Sequence, residues 1–147
     1  MPRSSERPLL LDTHVWIWLV EGQVHRVGPK VPALVERAAT EERLVLSAIS
    51  WWELGMLLER GRITLAKELT AWISANRTTP GARMEVITPS IALDSARLPD
   101  LDHGDPADRV LAATARELDA TLVTCDAELI AYGALGHVRV MDARVGG

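Results

Sequence analysis

The most constraining feature of this chain is a set of short runs in which every residue is apolar: Leu9-Leu10-Leu11, Leu44-Val45-Leu46, and Leu122-Val123 within Thr121 to Thr124. A strand with one wet face alternates apolar and polar residues. A run without alternation needs both faces covered, which is the condition of an inner strand in a parallel sheet with helices on each side. Helical stripes stand between these runs, at Val31, Leu34, Val35, Ala38 and Ala39, and at Val110, Leu111, Thr114, Ala115 and Leu118. The alternation predicts a three-layer α/β/α domain with a mainly parallel central sheet. The 147 residues, 48% of them hydrophobic, suffice for one such domain and leave no room for a second, so 1–147 is read as a single domain.

The remaining elements follow from the same patterns. Thr13 to Val20 suits a short helix. Another runs from Ser47 or Ser50 to Arg60, with Gly61 as its stop. Leu65, Leu69, Trp72 and Ile73 repeat helical spacing, Met84 to Ile87 reads as a strand, and Ile91 to Arg97 as a helix opened by Pro89 and Ser90. Pro106 suits the first position of the helix that follows. A short helix at Ala127 to Tyr132, a turn at Gly133 and Gly136, and a strand at Val138 to Met141 end the chain.

Composition excludes several classes. The single Cys125 forms no intrachain disulfide, and the polar start from Met1 to Pro8 fits neither a signal peptide nor a membrane span, so a cytoplasmic location without membrane attachment is the expectation. The formal net charge of −4 opposes general attraction to nucleic acid. That objection weakens if acidic residues hold divalent cations, which reverse the field a polyanion meets.

Four acids occupy positions that surface duty does not explain. Asp12 ends a wholly apolar strand, where a carboxylate is costly unless paired, hydrogen-bonded or metal-bound; capping the next helix is its plain alternative. Glu53 lies four residues after Ile49 and four before Leu57, on the buried stripe of its helix. If that helix starts at Ser50, Glu53 instead closes a capping box. Asp108, three residues before Leu111, extends a buried face to the helix N-terminus, where the dipole also favours an acid. Asp126 follows the strand ending at Thr124 by two residues, a position that also suits a turn or cap. Asp105, just before Pro106, is read as an N-cap. Strand ends and helix starts of a parallel sheet converge on one crevice. Carboxylates gathered there raise one another's pKa values, and the only lysines are Lys30 and Lys67. Hard divalent cations are the better compensation, and no His/Cys set has zinc-ligand spacing, since His14, His25, His103 and His137 are scattered.

These residues resemble the PIN-domain ribonucleases, and within them the VapC-type toxins of bacterial toxin–antitoxin pairs. The resemblance rests on Leu9-Leu10-Leu11-Asp12-Thr13-His14, Ser47-Ala48-Ile49-Ser50-Trp51-Trp52-Glu53-Leu54, His103-Gly104-Asp105-Pro106-Ala107-Asp108-Arg109, and Leu122-Val123-Thr124-Cys125-Asp126, in that order over nearly the whole chain. Ala107 and Gly104 depart from the usual Phe and charged residue. The resemblance implies metal-assisted endoribonucleolytic hydrolysis of RNA with Mg²⁺ or Mn²⁺ at Asp12, Glu53, Asp108 and Asp126, leaving 5′-phosphate and 3′-hydroxyl ends. It makes Asp12 and Asp108 the first ligands, Glu53 and Asp126 their complement, Thr13, Thr124 and Asp105 supporting groups, and Arg109, with Arg116 behind it, a phosphate contact. It also implies a cognate antitoxin protein and a homodimer.

Two other functions fit parts of the pattern. An Asp12-nucleophile phosphatase fits the strand end, although position 14 is His where a second acid is wanted. A PIN-fold module that holds RNA or protein without cleaving it fits the fold but leaves four intact acids unexplained. Of the tryptophans, Trp16, Trp18 and Trp52 are expected in the core, and Trp51 with Met56 is expected to offer an apolar surface to a partner.

Overall fold

The computed structural model describes residues 6–102 and 104–147, so His103 and the first five residues lie outside the described residues. The apolar runs form the inner strands as expected. Strands β1 (Leu9–Leu11), β2 (Leu44–Ser47), β3 (Ala82–Glu85), β4 (Thr121–Thr124) and β5 (Arg139–Asp142) make one sheet in the order β3-β2-β1-β4-β5, with every neighbouring pair parallel.

The register explains why the runs do not alternate. Leu10 pairs with Val45 and Leu122, and these turn to one face, against Ile91, Leu111, Ala115, Leu129 and Tyr132. Leu9, Leu11, Leu44, Leu46 and Val123 turn to the other, against Val15, Trp16, Ile17, Val31, Leu54 and Trp72. Helices α1 (Thr13–Val20), α2 (Val31–Thr40), α3 (Ala48–Glu59) and α4 (Leu69–Asn76) supply the second set. Helices α5 (Pro89–Ala96), α6 (Pro106–Leu118) and α7 (Ala127–Ala134) supply the first. Each fully buried Leu contributes about 1.5–3 kcal/mol relative to exposure, so a polar residue in these triplets would be selected against on both faces.

In the core on the α1–α4 face, Trp16, Trp51 and Trp72 meet edge to face, with ring centroids 5.0, 5.4 and 5.9 Å apart. The Trp72 indole Nε1 donates to Glu21 Oε1 at 2.8 Å, which ties α4 to the end of α1.

Some boundaries differ from the sequence expectation. The third strand begins two residues earlier than Met84 and stops at Glu85, leaving Val86 and Ile87 exposed. It pairs only with β2, and an edge strand needs no double apolar face, so Arg83 and Glu85 are tolerated there. Leu65 precedes α4 instead of opening it, Thr88 caps α5 through its hydroxyl, and the last strand shifts by one residue to Arg139–Asp142. Gly133 lies inside α7, not in a turn: a Cβ there would stand 2.7 Å from Val140 Cβ, so the residue lets α7 lie against β5. Trp52 is half exposed at 50%, whereas Trp51 packs inward, the reverse of the expected assignment.

The chain passes from β1 to β2 and β3 on one side and to β4 and β5 on the other. The strand order therefore reverses between β1 and β4, and a crevice opens beyond the carboxyl ends of those two strands. Among the described residues no helix is long and apolar enough to cross a membrane.

Candidate metal centre

Asp12 is the first residue past β1, and its backbone N–H still donates to Val123 O at 3.0 Å, continuing the ladder with β4. It is only 5% exposed and caps α1, with Oδ1 accepting from Thr13 N at 2.7 Å. Its Oδ2 accepts from the Thr124 hydroxyl at 2.6 Å. That hydroxyl in turn accepts from Asp126 N at 3.0 Å, which commits its proton to Asp12. The capping role and the functional position thus belong to the same residue. Burial pushes the Asp12 carboxyl above the ordinary range, against the lowering effects of Thr124, His14 and the Thr13 amide, and Asp126 adds to the rise.

Helix α3 starts at Ala48 with the Ser47 side chain as its cap, so no capping box at Ser50 exists. Glu53 is thereby released to face the crevice, and its Oε1 is buried with no hydrogen-bond partner among the described residues. Burial raises its pKa first, the Thr13 hydroxyl lowers it, and Asp12 raises it again. Thr13 and Ser50 share a hydrogen bond of 2.8 Å between their hydroxyls, holding α1 against α3 beneath this carboxylate.

Asp105 caps α6, Oδ1 accepting from Ala107 N at 2.8 Å, and Asp108 lies in the first turn of that helix. The Asp108 carboxyl is pushed up to about 9, by burial first, then by a hydrogen bond with Asp126 and by the charges of Asp12, Asp126 and Asp105. Asp126 caps α7 through Glu128 N at 2.9 Å. All four acids singled out in the sequence, with Asp105, line one cleft of about 920 Å³.

Within it, one oxygen each from Glu53, Asp105 and Asp108 lie within 4.8 Å of one another. Three hard oxygen donors at that spacing, one of them from Glu53, whose Oε1 is buried without a hydrogen-bond partner among the described residues, fit a hard divalent cation. Asp105 is thus more than the cap read from sequence: one oxygen holds α6 and the carboxylate still borders the candidate ion position. Thr13 and Thr124 are fully buried and hold Asp12 in place, the first through its backbone amide and the second through its hydroxyl.

Arg109 is not brought into the cleft. Its guanidinium donates to Ser95 O and Leu101 O, both at 2.8 Å, tying α6 to α5 and the following loop. Arg116 is engaged likewise, with Asp94 and His137 O at 2.9 Å each. The cations on the cleft wall are Arg60 and Arg62, which sequence reading did not single out; their only signal was proximity to the helix stop at Gly61. Cys125 also lines the cleft, but burial and the nearby Asp12 raise its thiol pKa, leaving a protonated group unsuited to nucleophilic attack.

The PIN domain family profile matches residues 9–135. Ribonuclease VapC22 of Mycobacterium tuberculosis is 38% identical over 121 residues, spanning 82% of this chain and 88% of the relative. The chain belongs to the PIN-domain family, in its VapC ribonuclease branch. Solved structures agree on the fold of this VapC-type protein. The Rickettsia felis VapBC2 complex bound to a promoter DNA fragment matches with a TM-score of 0.66 at 16% identity, covering 92% of this chain and 98% of the other. FitAcB of Neisseria gonorrhoeae matches with a TM-score of 0.63 at 22% identity, covering 90% and 96%.

Proposed function

We propose that this VapC-type protein, as one nuclease domain over 1–147, is a Mg²⁺- or Mn²⁺-dependent endoribonuclease and the toxin of a toxin–antitoxin pair. The observation that carries the chemistry is the cluster of the Glu53, Asp105 and Asp108 carboxylates, with Glu53 Oε1 buried and unpartnered among the described residues, in a cleft where Asp108 is pushed up to about 9. Such a cluster is electrostatically incomplete without a cation. Bound Mg²⁺ or Mn²⁺ supplies Lewis acidity to a phosphodiester and acidifies water beside it.

The protein's own residues do the rest. Glu53, Asp105 and Asp108 would hold the ion, while Thr124 and the Thr13 amide fix the Asp12 carboxylate so that it needs no reorganisation when substrate arrives. Asp126, which caps α7 beside Asp108, would orient the attacking water and receive its proton. Hydrolysis on the 3′ oxygen side leaves 5′-phosphate and 3′-hydroxyl ends without a covalent enzyme intermediate.

An Asp12 nucleophile is disfavoured because position 14, where that chemistry wants a second acid, is His, and because Asp12 instead borders a cluster of further carboxylates. A non-catalytic module is disfavoured because every acid lines the cleft. The VapC22 relative is named a ribonuclease, and solved neighbours are VapBC and FitAB assemblies; these support RNA as substrate and an antitoxin partner for this chain, while a homodimer is proposed from the resemblance in sequence alone.

Purified protein free of antitoxin, given mixed RNAs with Mg²⁺ or Mn²⁺, should yield fragments whose sequenced ends carry 5′-phosphates, and EDTA should stop the reaction. Fragments with 2′,3′-cyclic ends would overturn the mechanism.

A further inference from the structure

Trp52 differs from the other four tryptophans. Trp16, Trp51 and Trp72 pack edge to face in the core, and the Trp18 ring is flanked by His14 at 5.6 Å and by the Arg26 guanidinium at 5.6 Å. Among the described residues Trp52 has no ring or cation partner, and it is 50% exposed on the wall of the acidic cleft. An indole carries one of the largest apolar payloads of any side chain, so leaving half of it wet forfeits burial that the fold gives to the other four.

Its surroundings define what would cover it. Trp52, Met56 and Arg60 follow at i, i+4 and i+8 along α3 and its end, forming one stripe that runs ~12 Å along the axis. Trp52 is adjacent to Glu53, and all four of these side chains border the same cleft. Arg60 and Arg62 make no ion pair among the described residues, whereas Arg43, Arg116 and Arg144 are each held by a carboxylate. Arg26, Arg77 and Arg97 also make no ion pair among the described residues, but Arg60 and Arg62 are the arginines that line the cleft beside the exposed Trp52 face. The exposed ring is followed along the same stripe by cations at the end of α3, a combination that suits a base stacked on the indole with its backbone phosphates on the guanidinium groups.

We propose that Trp52 is a stacking platform for an unpaired base of single-stranded RNA, next to the scissile phosphate, with Arg60 and Arg62 contacting the backbone phosphates that lead away from it. The inference rests on the ribonuclease reading for the identity of the scissile bond, and it makes Trp52 a determinant of substrate binding and not of the chemical step. Double-stranded RNA keeps its bases paired and has no face to offer the ring.

The test measures equilibrium binding of a fluorescein-labelled single-stranded RNA in Mg²⁺, on an Asp12→Asn background to prevent turnover. Trp52→Ala should weaken binding roughly five- to 150-fold, and Trp52→Phe should recover most of it. Replacing single nucleotides of the RNA by abasic sites should reveal one position that costs a similar factor with Trp52 present and nothing further with Trp52→Ala. Arg60→Ala and Arg62→Ala should each flatten the dependence of log Kd on log salt by about 0.7. Because the abasic series is also run with Trp52 intact, a folding defect in the variant cannot decide the result. Wild-type affinity in Trp52→Ala, an abasic penalty that persists in that variant, or loss of a protein partner with RNA affinity unchanged would each overturn the proposal. Failure of the wild-type protein to cleave the same RNA would instead refute the ribonuclease reading, with the binding cycle still readable.

Discussion

Asp108→Asn should stabilise the metal-free protein while abolishing its activity. The native carboxyl is pushed from 3.8 to about 9, so the unfolded state ionises at low pH and the folded state resists ionisation. A carboxyl raised in this way leaves stability intact below its unfolded pKa and drains it as pH rises toward the folded one. Between 3.8 and a working pH of 8, at about 1.36 kcal/mol per pH unit, the ceiling is about 6 kcal/mol. Asp108 is partly open to solvent, so screening reduces this to about 1–3 kcal/mol. Asn keeps the shape and carries no charge at any pH. The variant should therefore melt about 3–9 °C above the wild type at pH 8 in EDTA, and the gap should shrink at pH 5. Saturating Mg²⁺ should close or reverse it, because only the wild type retains the full carboxylate set. Thermal melts at the two pH values, with and without cation, supply the comparison. A gap no larger at pH 8 than at pH 5 would refute the electrostatic argument.

Other perturbations separate positioning from folding. Thr124→Val removes the 2.6 Å hydrogen bond that orients Asp12, and should lower activity or Mn²⁺ affinity about 10–100-fold while Thr124→Ser retains it; titration calorimetry and cleavage rates report both. Gly81 has φ +77°, and a Cβ there would stand 1.8 Å from Ala39 O, so Gly81→Ala should lower the melting temperature without altering cation affinity. Leu122→Ala empties a fully buried position between β1 and β5 and should cost about 2–5 kcal/mol in denaturant unfolding.

What could be read from the sequence follows the range over which each signal acts. The inner strands were legible because burial on both faces leaves consecutive apolar residues, and β3 was misplaced because an edge strand leaves no such mark. Glu53 was legible because helical periodicity is local: its spacing from Ile49 and Leu57 fixes its direction once the helix start is known. Adjacent tryptophans point about 100° apart, but which of them enters the core depends on Trp16 and Trp72, contributed by α1 and α4. Arg109 looked available for phosphate because its guanidinium partners, Ser95 O and Leu101 O, come from other segments. Asp105 was read as a cap, which it is; its nearness to Glu53 depends on how α6 approaches α3, and no residue pattern states that.

Metal-dependent RNA cleavage at the carboxylate cleft is tested most directly by the cleavage rate against Mn²⁺ concentration, measured for the wild type and Asp12→Asn side by side. The rate should be zero in EDTA, rise to saturation with Mn²⁺ in the wild type, and fall by at least about 100-fold in Asp12→Asn at every concentration. Cleavage that survives both the chelator and Asp12→Asn would contradict this mechanism.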